Sequence, residues 1–170
     1  MGSGKENCKD ARFGVDAMLG RLARTLRLLG FDTEYFRDGD DLQILARCLK
    51  EGRILLTADR GFYRLAKGWG LKVVLLPPGK IDPWKTAKGI VRDLGLEGCL
   101  RPFTRCPKCN GEMERVHRDR LVGFVHPYVW SRNEYFAVCK ECGQIYWEGT
   151  HVDRIKERLS LPKEDQEVPP

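Results

Sequence analysis

The first hundred residues contain no histidine; His117, His126 and His151 all lie further on. Any acid–base chemistry in that half must therefore run on carboxylates and metal ions. Long apolar runs are missing too. VVLLPP at 73–78 is stopped by two prolines, far short of the roughly 18–20 residues that span a bilayer. No charged-then-apolar signal opens the chain, and it reads as cytoplasmic, with no membrane partner. Internal repeats and low-complexity segments are absent as well. The opening MGSGKENCKD is small and polar, a flexible leader over 1–10, and Glu6 stands where a myristoylation signal wants Ser or Thr. At the other end, a short helix from residue 153 gives way to LPKEDQEVPP, charged and proline-ended, which reads as disordered.

What remains is a 170-residue chain that is 42% apolar, enough for one medium domain with a small appendage. The formal charge of +6 permits a polyanionic partner without demanding one.

Residues 11–100 alternate strand and helix signals. Arg12–Val15 is a short apolar strand ending at Asp16. Leu19, Leu22, Ala23, Leu26 and Leu29 follow at helical spacing, with Gly30 as the stop. Phe31–Phe36 reads as a second strand, and Asp38, Asp40 and Asp41 open a helix running to Gly52. Ile54–Thr57 is a third strand, Phe62–Lys67 a short helix and Leu71–Leu76 a fourth strand. Asp82-Pro83 starts a last helix, since proline fits a first helical turn. Such alternation predicts an α/β domain with a central parallel sheet and helices on its faces. Residues 101–152 are instead rich in turns, cysteines and short β runs such as Glu134–Val138 and Gln144–Trp147, a small β-rich ribbon.

Cys106-Pro107-Lys108-Cys109 and Cys139-Lys140-Glu141-Cys142 are two C-x-x-C pairs with 29 residues between them. Each pair suits a tight knuckle presenting two thiolates, and four thiolates close the shell of one structural Zn²⁺ with no open position for catalysis. Asn110 and Gly143 follow the pairs and tolerate the left-handed turn such knuckles need. The long gap predicts an extended hairpin between the knuckles. Cys8, Cys48 and Cys99 stand alone and read as buried or spare thiols.

The stretch RILLTADRGF (53–62) delivers Asp59 just past the end of strand three, as strand one delivers Asp16. In an open parallel sheet, sites form beyond the carboxyl ends of strands, where the strand order reverses. With strand one central, Asp16, Asp59 and the helix opening at Asp38, Asp40 and Asp41 converge on one edge. Each Asp alone reads as a turn former or cap. Together they repel unless a cation compensates, and oxygen ligands suit Mg²⁺ or Mn²⁺.

FGVDAMLGRLARTLRLLGFDT, DDLQILARCLKEGRILLTADRGF and RCPKCN…CKECGQIYWEGTH resemble the Mut-seven C-terminal ribonuclease family, in order, over residues 12–152. The resemblance implies a PIN-like three-layer domain, a zinc ribbon, divalent-metal ribonuclease chemistry and RNA as substrate. The family's acids fall on Asp16, Asp41 and Asp59; Asp38 or Asp40 is open as a fourth.

Arg21 and Arg24 share a helix face after Asp16, and Arg60 adjoins Asp59; all three are candidate RNA contacts. Arg27 lies on the same helix. In the ribbon, Arg105, Lys108, Arg115, Arg118, Arg120 and Arg132 interleave with Phe124, Tyr128, Trp130, Tyr135 and Phe136. That mixture suits single-stranded RNA, and equally the core of a small zinc domain. Phe62 reads as core. The sequence thus predicts a metal-dependent endoribonuclease whose ribbon helps dock RNA. The rivals are an RNA-binding module that does not cut and, last, a receiver-like domain phosphorylated on Asp59. The receiver needs paired acids after strand one, where Asp16 stands alone.

Overall fold

A computed structural model describes Cys8 and residues 11–159. The expectations for the leader (Cys8 apart) and for the tail from Leu161 lie outside the described residues. The chain folds as two compact units, Met1–Asn110 and Gly111–Pro170.

The first unit runs β1 (Arg12–Asp16), α1 (Gly20–Leu28), β2 (Asp32–Phe36), α2 (Asp41–Glu51), β3 (Arg53–Thr57), α3 (Arg60–Gly68), β4 (Val73–Leu75) and α4 (Pro83–Asp93). Its strands pair in parallel in the order β2-β1-β3-β4, so β1 lies inside the sheet, as a crevice at the strand ends requires. Helix ends follow local chemistry. The Asp82 carboxylate accepts from the Trp84 and Lys85 amides with Pro83 at the first turn. Gly52 ends α2 with φ 64°, a conformation that costs glycine little.

Alternation along the parallel strands splits the core. Leu55 and Phe36 join Ile44, Leu45 and Cys48 of α2 and Phe62 and Ala66 of α3 in one apolar cluster. Phe62 is core, as the sequence indicated. Gly14 lets α2 approach β1: a Cβ there would stand 2.7 Å from the Cys48 Sγ and 2.8 Å from the Phe36 ring. Burial pushes the Cys48 thiol up to about 12, so this cysteine is packing rather than nucleophile.

The other two solitary cysteines correct the sequence reading. Cys8 and Cys99 form a disulfide, with Cα atoms 5.1 Å apart and a sequence separation of 91. Spacing could not reveal this, because disulfide pairing depends on tertiary proximity.

Charge is buried at the amino-terminal edge of the sheet. Arg53 is 7% exposed and donates to Asp32 Oδ1 (2.9 Å), to Glu51 Oε2 and to the Phe13 carbonyl. Asn110 Nδ2 donates to the same Asp32 oxygen at 2.8 Å, and Asn110 Oδ1 accepts from the Thr33 amide. Desolvation opposes ionisation of Asp32, but the hydrogen bonds from Arg53 and Asn110 win and hold its carboxyl below the ordinary range.

The second unit is an antiparallel sheet in the order β5-β6-β7 (Met113–His117, Tyr135–Cys139, Ile145–Tyr146). The expected hairpin is present: β5 leaves through a 3₁₀ turn (Arg118–Leu121), and the chain returns through α5 (Pro127–Arg132). Val116, Leu121 and Phe136 make its core, joined by Val125, Val129, Val138 and Ile145. Helix α6 (Thr150–Arg158) follows and carries the exposed His151.

Candidate active site

Three connections meet at the carboxyl ends of β1, β2 and β3. Asp16 is the last residue of β1 and is half-buried. Its Oδ1 accepts from the Ala17 amide at 2.7 Å and its Oδ2 accepts from Thr57 Oγ1 at 2.8 Å. Thr57, the last residue of β3, is wholly buried. Its hydroxyl oxygen also accepts the Asp59 amide at 3.0 Å. One hydroxyl therefore bridges the Asp16 side chain and the Asp59 backbone. Asp59 in turn caps α3, its Oδ1 accepting from the Phe62 amide at 2.7 Å. That bond commits one carboxylate oxygen, and Oδ2 is uncommitted among the described residues.

Asp41 is the first residue of α2 and is exposed. Its carboxyl is nevertheless raised above its ordinary range, first by partial desolvation, then by the negative charges of Asp16, Asp40 and Asp59. Asp40 precedes the helix with extended backbone (φ −74°, ψ 139°) and makes no side-chain cap bond. Asp16, Asp41 and Asp59 thus share one electrostatic neighbourhood with Asp40. Asp38 is not among the charges that bear on Asp41. Like charges gathered this way favour a bound cation, and carboxylate oxygens fit Mg²⁺ or Mn²⁺.

Arg60 follows Asp59 directly at the head of α3, and Arg21 and Arg24 stand exposed on α1. Arg27 does not join them. It is 8% exposed, donating from Nε to the Thr33 carbonyl (2.9 Å) and from Nη1 to the Pro107 and Lys108 carbonyls (both 3.2 Å). Sequence reasoning misses the roles of Arg27 and Thr57 because single tertiary hydrogen bonds leave no periodic trace. It misses Tyr35 for the same reason; the Tyr35 hydroxyl donates to the Ala17 carbonyl at 2.7 Å, bracing the turn after Asp16.

The sulfurs of Cys106, Cys109, Cys139 and Cys142 all lie within 4.8 Å of one another. Four sulfurs around one Zn²⁺ at about 2.3 Å would stand about 3.8 Å apart, so the set can hold a structural metal such as zinc. Asn110 and Gly143 have φ of 72° and 69°, the left-handed turns expected after each pair. The Asn110 and Gly143 amides donate to the carbonyls of Cys106 and Cys139 at 2.8 and 3.0 Å. In the ribbon, Phe136 is core at 2% exposure, whereas Phe124 and Tyr128 are exposed. Among the described residues no helix is long and apolar enough to cross a membrane.

Residues 11–159 match the family described as Mut7-C RNAse domain. Over 113 residues, 65% of this chain, the sequence is 31% identical to the exonuclease mut-7 homolog of Homo sapiens. The match spans 13% of that protein's length.

Proposed function

The chain belongs to the Mut7-C RNAse domain family, and from that membership and the acidic edge we propose a divalent-metal-dependent ribonuclease on a PIN-like domain. One observation carries the reading: Thr57 ties Asp16 to Asp59, and Asp41 feels the charge of both. Asp16, Asp41 and Asp59 would hold Mg²⁺ or Mn²⁺, which when bound lowers the pKa of water and offsets charge on the leaving oxygen of a phosphodiester. The chain's own groups do the positioning. Thr57 fixes the rotamer of Asp16 while each Asp16 oxygen keeps a lone pair for a ligand. Helix α3 holds Asp59 through its cap, and Asp40 is the candidate fourth acid.

Arg21, Arg24 and Arg60 contact the phosphates of the incoming strand, and the ribbon, held by Zn²⁺ on its four cysteines, docks RNA. Attack is endonucleolytic, on an RNA that is single-stranded. The related human protein carries the name exonuclease, so the mode needs its own assay: a circular RNA is cut only by internal attack.

Asp16→Asn and Asp59→Asn test the chemistry. Each should abolish cleavage while RNA binding stays near that of the wild type, because Asn keeps the shape of Asp but loses the charge that recruits the cation. Wild type should need Mg²⁺ or Mn²⁺. Cleavage by Asp16→Asn, or by wild type without added divalent metal, would refute the mechanism. Tight RNA binding by a wild type that never cuts would assign the chain to a binding module instead.

A further inference from the structure

The last pair of the β5–β6 ladder is His117 opposite Tyr135, and the first is Met113 opposite Cys139. The ladder thus runs from a metal-site cysteine to an end far from it in register. At that far end three guanidiniums lie over aromatic rings. Arg115 sits 3.5 Å from the Tyr135 centroid, Arg118 4.7 Å from Trp130 and Arg132 4.8 Å from Tyr128. The His117 ring meets Tyr135 edge-on at 5.3 Å.

These stacks are not equivalent. Trp130 is locked, its indole N–H donating to the Arg118 carbonyl at 2.8 Å, and it is half-buried. Tyr135 and Tyr128 are 40% and 61% exposed, and Phe124, in the connection between them and β5, is 74% exposed. The core of this unit is Val116, Leu121 and Phe136 with four flanking aliphatics. The exposed rings are therefore not needed to build it.

Charge at this end points to the occupant. Arg115, Arg118, Arg120 and Arg132 outnumber Glu114, Asp119 and Glu134. Asp119 and Glu134 lie 3.2 and 3.9 Å from the His117 ring nitrogens. None of the four arginines is in an ion pair among the described residues. Cations already resting on exposed tyrosines can turn to phosphates while the rings take bases. Apolar side chains alone would suit a protein or a membrane; unpaired arginine charge beside flat rings suits unpaired nucleotides.

We propose that Tyr128 and Tyr135, with Arg115, Arg132 and the exposed Phe124, form a stacking platform for the unpaired bases of single-stranded RNA. This deepens the ribonuclease reading and rests on its assignment of RNA as substrate.

The test is fluorescence anisotropy on the full zinc-loaded chain, without Mg²⁺ or Mn²⁺, using a labelled single-stranded oligoribonucleotide, its duplex and an abasic strand with the same phosphates. Wild type should bind the single strand at least about tenfold more tightly than the duplex or the abasic strand. Tyr128→Ala and Tyr135→Ala should each weaken single-strand binding about tenfold. Tyr→Phe at either position should not, since the ring is kept. The salt dependence should be unchanged in all four variants, because no charge is lost. Equal affinity for the abasic strand would overturn the proposal without any variant having to fold, as would an alanine variant that binds like wild type. The two readings fail separately. Cleavage that persists when the rings are irrelevant sinks only the platform; ring-dependent binding without cleavage sinks only the nuclease.

Discussion

Replacing Thr57 by valine removes one oxygen and changes almost nothing else. Thr57 is 0% exposed, and valine has the same shape, so no cavity opens. Two hydrogen bonds vanish: the 2.8 Å bond to Asp16 Oδ2 and the 3.0 Å bond from the Asp59 amide. A bond to a charged acceptor contributes about 1.5–3 kcal/mol and a neutral one about 1 kcal/mol. Asp16 is only half-buried, so water can replace part of its loss, which favours the lower end. Burying a methyl group returns up to about 0.8 kcal/mol. The net cost is about 2 kcal/mol, a fall in Tm of roughly 4–8 °C for a chain of this size. The effect on turnover should be larger, because a misplacement of about 1 Å in a catalytic group costs on the order of a hundredfold. Thr57→Val should therefore cut metal-dependent RNA cleavage about a hundredfold, with RNA affinity unchanged, and Thr57→Ser should restore most of it. Thermal melts and single-turnover cleavage of a labelled RNA make the measurement. A valine variant that cleaves like wild type, or a serine variant as impaired as valine, would refute the bridge.

Cys106→Ser or Cys139→Ser should lower bound zinc and thermal stability together, since a closed site couples metal binding to folding; a variant that loses zinc yet melts unchanged would contradict this. RNA affinity should fall steeply with salt in a filter-binding titration, and Arg21→Ala and Arg24→Ala should each flatten that slope by about one unit. Asp32 gives a pH prediction. Its folded carboxyl lies below the ordinary range, so its stabilisation is full above the unfolded value of about 3.9 and fades as pH falls through the folded value. Asp32→Asn should be less stable than wild type at neutral pH, and urea melts of the two should converge as the pH falls from about 3.9 through the lower folded value. A constant gap across that range would show that Asp32 acts by shape alone.

How much of this was legible in the sequence depends on the kind of signal. Asp16 and Asp59 could be placed because a parallel sheet sends its strand ends to one edge and both acids follow apolar strands directly. The cysteine pairs and their left-handed followers, Asn110 and Gly143, could be read because a knuckle is local. Arg27 could not. Each step of three residues turns a helix by about 300°, so Arg27 lies about 120° around α1 from Arg21. That rotation takes it into the buried stripe with Ala23 and Leu26, where its donors find the carbonyls of Pro107 and Lys108. Nothing in the spacing of an arginine says which carbonyl it will meet. The same holds for Thr57, for the Asp32–Asn110 bond and for Cys8–Cys99. Strand four is shorter than the expected Leu71–Leu76, at Val73–Leu75, because an apolar run marks burial, whereas a ladder needs a paired neighbour.

The hold of Arg27 and Asn110 on the first knuckle sets where the chain can be dissected. A protease nick or a stop codon placed at the change of texture near residue 100 would look harmless by sequence. It would in fact strand a buried guanidinium without two of its three carbonyls and deprive Asp32 and the Thr33 amide of the Asn110 side chain. The α/β fragment that keeps its own hydrogen bonds ends at Asn110, carrying Cys106 and Cys109 with it. Anyone transplanting this α/β fold onto another protein would have to move half of the four-cysteine cluster along with it.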